Sequence, residues 1–132
     1  MMPGAKKGDK VVGVCTHTVL VPAPPAPPIP TPLPHPFTGT IDGNLSSNVK
    51  IQGQDAAVMG STAKNSPSHI ATPPGTSFVA PPMNKATISK GSATVLINNK
   101  PAARMGDLAV TCSEIPAPGN VVSTTTKVLI GG

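Results

Sequence analysis

The sequence predicts an all-β fold, on three observations. No stretch carries helical apolar periodicity of useful length, short Val/Ile runs alternate with Asn, Gly and Pro punctuation, and one strand–turn–strand unit is written more than once. The clearest copy, Thr94 to Gly106, reads T-V-L-I-N-N-K-P-A-A-R-M-G. Val95, Leu96 and Ile97 are β-formers, Asn98-Asn99 tolerate positive φ in a tight turn, and Pro101 to Arg104 begin the return strand. Shifted back 46 positions, Val49 to Gly60 fits the same template, with Val, Ile, the turn, Ala-Ala and Met-Gly in register. A third, shorter copy is Val128-Leu129-Ile130-Gly131-Gly132. Three copies of one unit predict a pseudo-threefold body.

A length of 132 residues suits one domain, divided here into a polar amino-terminal arm (1–10) and a single β domain (11–132). Eighteen prolines, thirteen glycines, two Phe and neither Trp nor Tyr leave little material for an ordinary core. Small aliphatic side chains suit a narrow β structure, and such a domain leans on a metal or a covalent staple. The formal charge is +5, but the basic residues are scattered apart from Lys6, Lys7 and Lys10, and no aromatics are interleaved to stack on bases. Nucleic-acid binding is therefore not expected. The first ten residues lack the apolar run of a secretory signal, and no apolar run could span a bilayer, which points to assembly in the cytoplasm. That compartment disfavours a Cys15–Cys112 disulfide.

In order, Val11 to Val14 open the first strand and run into Cys15-Thr16-His17, where residues two apart share a face. Nine of the fifteen residues from Pro22 to Pro36 are proline. Proline lacks a backbone donor and fixes φ, so this piece is expected as an extended polyproline-like span rather than a helix or central strand, with His35 locked between Pro34 and Pro36. The other reading is a flexible linker or SH3-type ligand. Phe37 to Asn48 reads as loop. The Val49 hairpin follows, then a Ser/Asn/Pro segment to His69, and Phe78 enclosed by Pro73-Pro74 and Pro81-Pro82. Leu108 to Cys112 is a short strand ending in a thiol. Pro116 to Asn120 reads as a turn, and Val121-Val122 and Lys127 to Ile130 as strands.

The soft or borderline metal ligands are His17, His35, His69, Cys15 and Cys112. His69 follows one hairpin unit and Cys112 the other, a placement that would bring strand ends to a common apex. Three imidazoles and one thiolate would close a tetrahedral zinc shell, while ligand type also admits iron(II) or copper. Spacing alone leaves open that each histidine is simply a surface or hydrogen-bonded residue, since no tight C-x-x-C or H-x-x-x-H pair is present.

Pro101-Ala102-Ala103-Arg104 is the motif for which PAAR-repeat proteins are named, and V-L-I-N-N-K-P-A-A-R-M-G-D resembles that family closely. Pro30 to Gly39, Leu45 to Ile51 and Pro73 to Phe78 are similar to its VgrG-associated branch, so the resemblance spans roughly residues 8 to 132. It implies a conical pseudo-threefold β structure that sits point-outward on the trimeric VgrG-type spike of a type VI secretion system or related contractile injection machine. On firing, such a tip travels through a target membrane. It also implies metal ligands at His17, His35, His69 and Cys112, with Zn2+ the expected ion and Fe2+ admissible, whereas Cys15 matches no ligand position of the family. Arg104 is expected to be structural and no catalytic residue is expected, any effector cargo being carried separately. The rival reading is a zinc hydrolase using the three histidines, which the scarcity of carboxylates near them disfavours.

Overall fold

The computed structural model describes residues 2–65, 68–71, 73–113, 118–123 and 128–131. In chain order the strands are β1 (Met2–Pro3), β2 (Lys10–Ala23), β3 (Ala26–Gly43), β4 (Lys50–Ile51), β5 (Gln54–Asp55), β6 (Thr62–Asn65), β7 (Ser77–Phe78), β8 (Lys85–Ile88), β9 (Leu96–Ile97), β10 (Lys100–Pro101), β11 (Leu108–Val110), β12 (Pro118–Val122) and β13 (Leu129–Ile130). The described residues form no helix, so none is long and apolar enough to cross a membrane. Strands β2, β3, β6, β8, β11 and β12 pair in that order, and β12 returns to β2, closing a six-stranded barrel. Closure removes the exposed edges an open sheet of this size would present. The all-β expectation is met.

Three small antiparallel pairs cap one end of the barrel: β4–β5, β9–β10 and β1–β13. Gln52 and Gly53 turn the first, and Asn98 and Asn99 the second, all at positive φ. This is the conformation the Asn-Asn signal implies. The third pair joins Met2 to Ile130 and Pro3 to Leu129. Residues 2–9, expected as a polar arm, are therefore built into the fold, and the reason is legible in them. Pro3-Gly4-Ala5-Lys6-Lys7-Gly8-Asp9 is the third copy of Pro101-Ala102-Ala103-Arg104-Met105-Gly106-Asp107, with its first strand supplied from the other end of the chain.

The three copies are stitched in a ring. Ala5 N–H donates to Ala103 C=O (2.9 Å), Ala103 N–H to Ala57 C=O (3.0 Å) and Ala57 N–H to Ala5 C=O (3.0 Å). One shell out, Lys7 donates to Asp55, Met59 to Pro101 and Met105 to Pro3, each at 2.8 Å. Gly8, Gly60 and Gly106 occupy equivalent positions with φ of 93°, 96° and 89°, a region L side chains rarely adopt. Each donates to the return strand of its own unit, at Ile41, Ile88 and Val121. The alanines are fully buried because backbones that converge on a threefold axis leave no room for more than a methyl group. The pseudo-threefold expectation thus holds at the level of individual hydrogen bonds.

Above this ring the barrel interior is filled by Val11, Ile41, Ala63, Ala86, Ile88, Ala109 and Val121, with Phe37 across the top. A narrow barrel admits only such small residues. Gly39 marks the limit: a Cβ there would lie 2.7 Å from the Phe37 ring and 3.0 Å from Ala63 Cβ. A second cluster, Ile51, Ala56, Val58, Ile97, Ala102 and Ile130, fills the space beneath the three hairpins.

The proline-rich segment is a strand, against expectation. β3 pairs with β2 from Ala26 to Thr40, taking in both the prolines and the expected loop at Phe37. Prolines 30, 32, 34 and 36 fall at every second position and face out, while His35, Phe37, Gly39 and Ile41 face in. In an extended strand, alternate residues direct their N–H groups to the same edge. Period-two proline therefore strips donors from one edge only and leaves the residues between free to bond β2. Likewise the turn expected at Pro116 to Asn120 is overturned in part: Pro118–Val122 is strand β12, pairing with β11 and β2, and residues 114–117 lie outside the described set.

Candidate metal centre

Every repeat unit sends a strand up the barrel, and each strand or its continuation ends in a candidate ligand. β2 carries Cys15 and His17 on its inward face, the chain beyond β6 carries His69, and the chain beyond β11 carries Cys112. β3 adds His35, the register partner of Cys15. Tapering brings the ends together.

One donor atom from each of Cys15, His17, His69 and Cys112 lies within 4.8 Å of the others. Cys112 Sγ is 3.5 Å from His17 Nε2 and 3.4 Å from Cys15 Sγ. A tetrahedral ion with bonds of about 2.0–2.3 Å holds its donors roughly 3.4–3.8 Å apart, so these separations are those of a nearly formed shell. His35 falls outside the 4.8 Å set but not away from the site. Its ring centroid is 5.4 Å from that of His17 and 5.6 Å from that of His69, and the His17–His69 separation is 5.1 Å. Phe78 closes one side, 5.8 Å from His17 and 5.3 Å from His35. Of the residues expected from sequence, His17, His69 and Cys112 are brought into the compact set, His35 packs beside it, and Cys15 joins it.

Local bonds fix the rings. His35 Nδ1 donates to Leu33 C=O at 2.9 Å, which leaves Nε2 with the lone pair. Asn65 Oδ1 accepts from Thr38 N–H, so its amide nitrogen is directed at His69 Nδ1, 3.2 Å away. His69 N–H is tied to Asn84 Oδ1 at 2.7 Å. His69 Nε2 is buried with no hydrogen-bond partner. An orphaned buried nitrogen is costly. With the Asn65 amide donating to Nδ1, the neutral ring carries its proton on Nε2, so ligation of an ion by Nε2 requires that proton to move to Nδ1 and the Asn65 amide to turn over. Burial first, and the His17 and His35 rings second, push His69 down to about 4, which makes it a neutral imidazole at pH 7. Burial likewise pushes the Cys15 thiol up to about 11, opposed by a hydrogen bond from Thr111 and reinforced by Cys112.

Asp9, Asp55 and Asp107 lie elsewhere. Asp107 takes Arg104 N–H and Nε on Oδ2 at 2.7 and 3.3 Å, and Nη2 on Oδ1 at 3.0 Å. Arg104 Nη1 also donates to Gly131 C=O at 3.2 Å, so this residue is structural, as expected. Asp9 repeats the arrangement with Lys6, and Ser61 Oγ takes the same place beneath Val58 N–H. Asp55 pairs with Lys50 at 2.7 Å.

A model of the family described as PAAR motif matches residues 80–132, which carry the β9–β10 hairpin, its ascending strand and Cys112. Comparison with curated proteins and with solved structures finds no match.

Proposed function

From the premise that this chain is a PAAR-repeat protein, we propose that it is a non-enzymatic spike tip. It caps and sharpens the trimeric VgrG-type spike of a type VI secretion system or related contractile injection machine, and it is driven with that spike through a target membrane. The observation that carries this reading is the ring of Ala5, Ala57 and Ala103 with its three peripheral hairpins. A trimeric β spike ends in three equivalent strand edges, and one chain can meet all three only if its own base repeats three times. The hairpins present Lys50, Leu96 and Leu129 outward at equivalent places.

At the narrow end we assign a structural metal, Zn2+ by donor chemistry with Fe2+ admissible, to His17, His35, His69 and Cys112. The Nδ1–H bond from His35 to Leu33 is the outer bond that typically orients a ligating imidazole. The 4.8 Å grouping favours a second reading, in which Cys15 replaces His35. The two differ in one result: Cys15→Ser keeps the ion under the first and loses it under the second. A hydrolytic role has little support among the described residues, where the grouping holds no carboxylate and Asp9, Asp55 and Asp107 are held in ion pairs away from it.

Co-expression with a VgrG-type trimer tests the partner. One copy of the chain per trimer should co-purify, and Leu96→Glu with Leu129→Glu should abolish this without unfolding the barrel. Retention of the charged variant on the trimer would overturn the docking assignment.

A further inference from the structure

The site contains one sulfur more than the proposed metal shell requires. Cys15 Sγ sits 3.4 Å from Cys112 Sγ, and neither is in a disulfide. The two thiols belong to different arms, 97 residues apart, and the surroundings hold them face to face. Thr16 N–H donates to Ser113 Oγ at 2.8 Å, clamping the residue after one cysteine to the residue after the other. The disulfide bond length is about 2.05 Å, so a closure of roughly 1.4 Å, within the reach of side-chain rotation, would join them. Cys15 is fully buried, whereas Cys112 is partly exposed, so an oxidant can reach only one of the pair directly.

We infer that Cys15 and Cys112 form a reserve covalent staple: when the ion is removed in the presence of a small-molecule disulfide, the pair closes to a disulfide that holds the same two arms together. The steps balance. Cys112 Sγ attacks one sulfur of oxidised glutathione, the glutathione S–S bond breaks, and one glutathione leaves as a thiol. Cys15 Sγ then attacks Cys112 Sγ, the mixed disulfide breaks, and the second glutathione leaves. Two cysteine thiols are oxidised, and their two protons and two electrons end on two glutathione thiols. While Cys112 is bound to the ion its thiolate is occupied, so the metal form resists this exchange. A machine that carries the tip from a reducing to an oxidising compartment would exploit such a pair.

The inference rests on the metal reading for its trigger only, and the experiment separates the two. Full-length protein is exposed to oxidised glutathione with and without a strong chelator, and intact mass and metal content are followed together. The expected result is an ion retained and two free thiols without chelator, and with chelator a species two hydrogens lighter that carries no glutathione. Cys15→Ser should instead stop at a stable glutathione adduct on Cys112, and Cys112→Ser should form neither product. Free thiols, or a lasting glutathione adduct, in the chelated wild-type protein would overturn the staple while leaving the metal reading intact. Rapid closure in protein that never held an ion would support the staple and count against the metal.

Discussion

Replacing Asp107 by alanine probes the latch at the base of the β9–β10 unit. The substitution removes three hydrogen bonds at once and strands Arg104 N–H inside the fold. An unsatisfied buried donor costs about 1–3 kcal/mol, and losing the partner of a wholly buried ion pair about 3–5 kcal/mol. Both side chains are mostly buried, at 14% and 6% exposure, and the guanidinium keeps Gly131 C=O. Partial access to water therefore trims the total to about 2–4 kcal/mol. For a chain of this size that lowers Tm by roughly 8–16 °C. The chain has neither Trp nor Tyr, so the assay is far-ultraviolet circular dichroism during thermal and urea unfolding. Asp107→Asn, which keeps an acceptor for Arg104 N–H but not the charge, should recover about half the loss. Exposed Asp42→Ala should stay within about 0.5 kcal/mol of the parent. A loss below about 1 kcal/mol for Asp107→Ala would refute the latch.

Two further substitutions test other parts of the fold. Gly39→Ala inserts a methyl group 2.7 Å from the Phe37 ring and should destabilise by about 1–3 kcal/mol, whereas Gly43→Ala would meet only the Thr62 side chain and should cost less; equal losses in urea unfolding would argue against the tight packing drawn around Phe37. Pro30, Pro32 and Pro34 all changed to valine would restore donors along the outer edge of β3 without disturbing the pairing to β2. Sedimentation velocity should then show more self-association than the parent does, and an unchanged sedimentation profile would contradict the edge-protecting role.

Much of this architecture was legible in the residues. The two hairpins with their turns and the all-β class follow from pattern, whereas the gathering of His17, His69 and Cys112 was implied by the family resemblance, spacing alone having left it open. The third unit was harder to see, because its strands lie at opposite ends of the chain and no contiguous window contains both. Pro3-Gly4-Ala5-Lys6-Lys7-Gly8-Asp9 nonetheless matched Pro101 to Asp107 in kind at most positions, and the lysine-rich look of the segment masked it. The proline run misled for a different reason. Proline content argues against a strand, but its period of two decides which edge loses donors, and one bare edge is compatible with a long hairpin. Cys15 had no spacing signal toward Cys112 at all. Only closure of the barrel, which brings β2 beside β12 and the chain beyond β11, places the two sulfurs together.

The claim that a single ion fastens the three arms at the narrow end is tested most directly by native mass spectrometry of the purified chain, paired with its thermal unfolding. The expected result is one Zn2+ or Fe2+ per molecule, absent from Cys112→Ser. Structural zinc ligation contributes on the order of 10 kcal/mol, so removing the ion should lower Tm sharply. A chain that carries no ion, or that unfolds at the same temperature once stripped of it, would contradict the account.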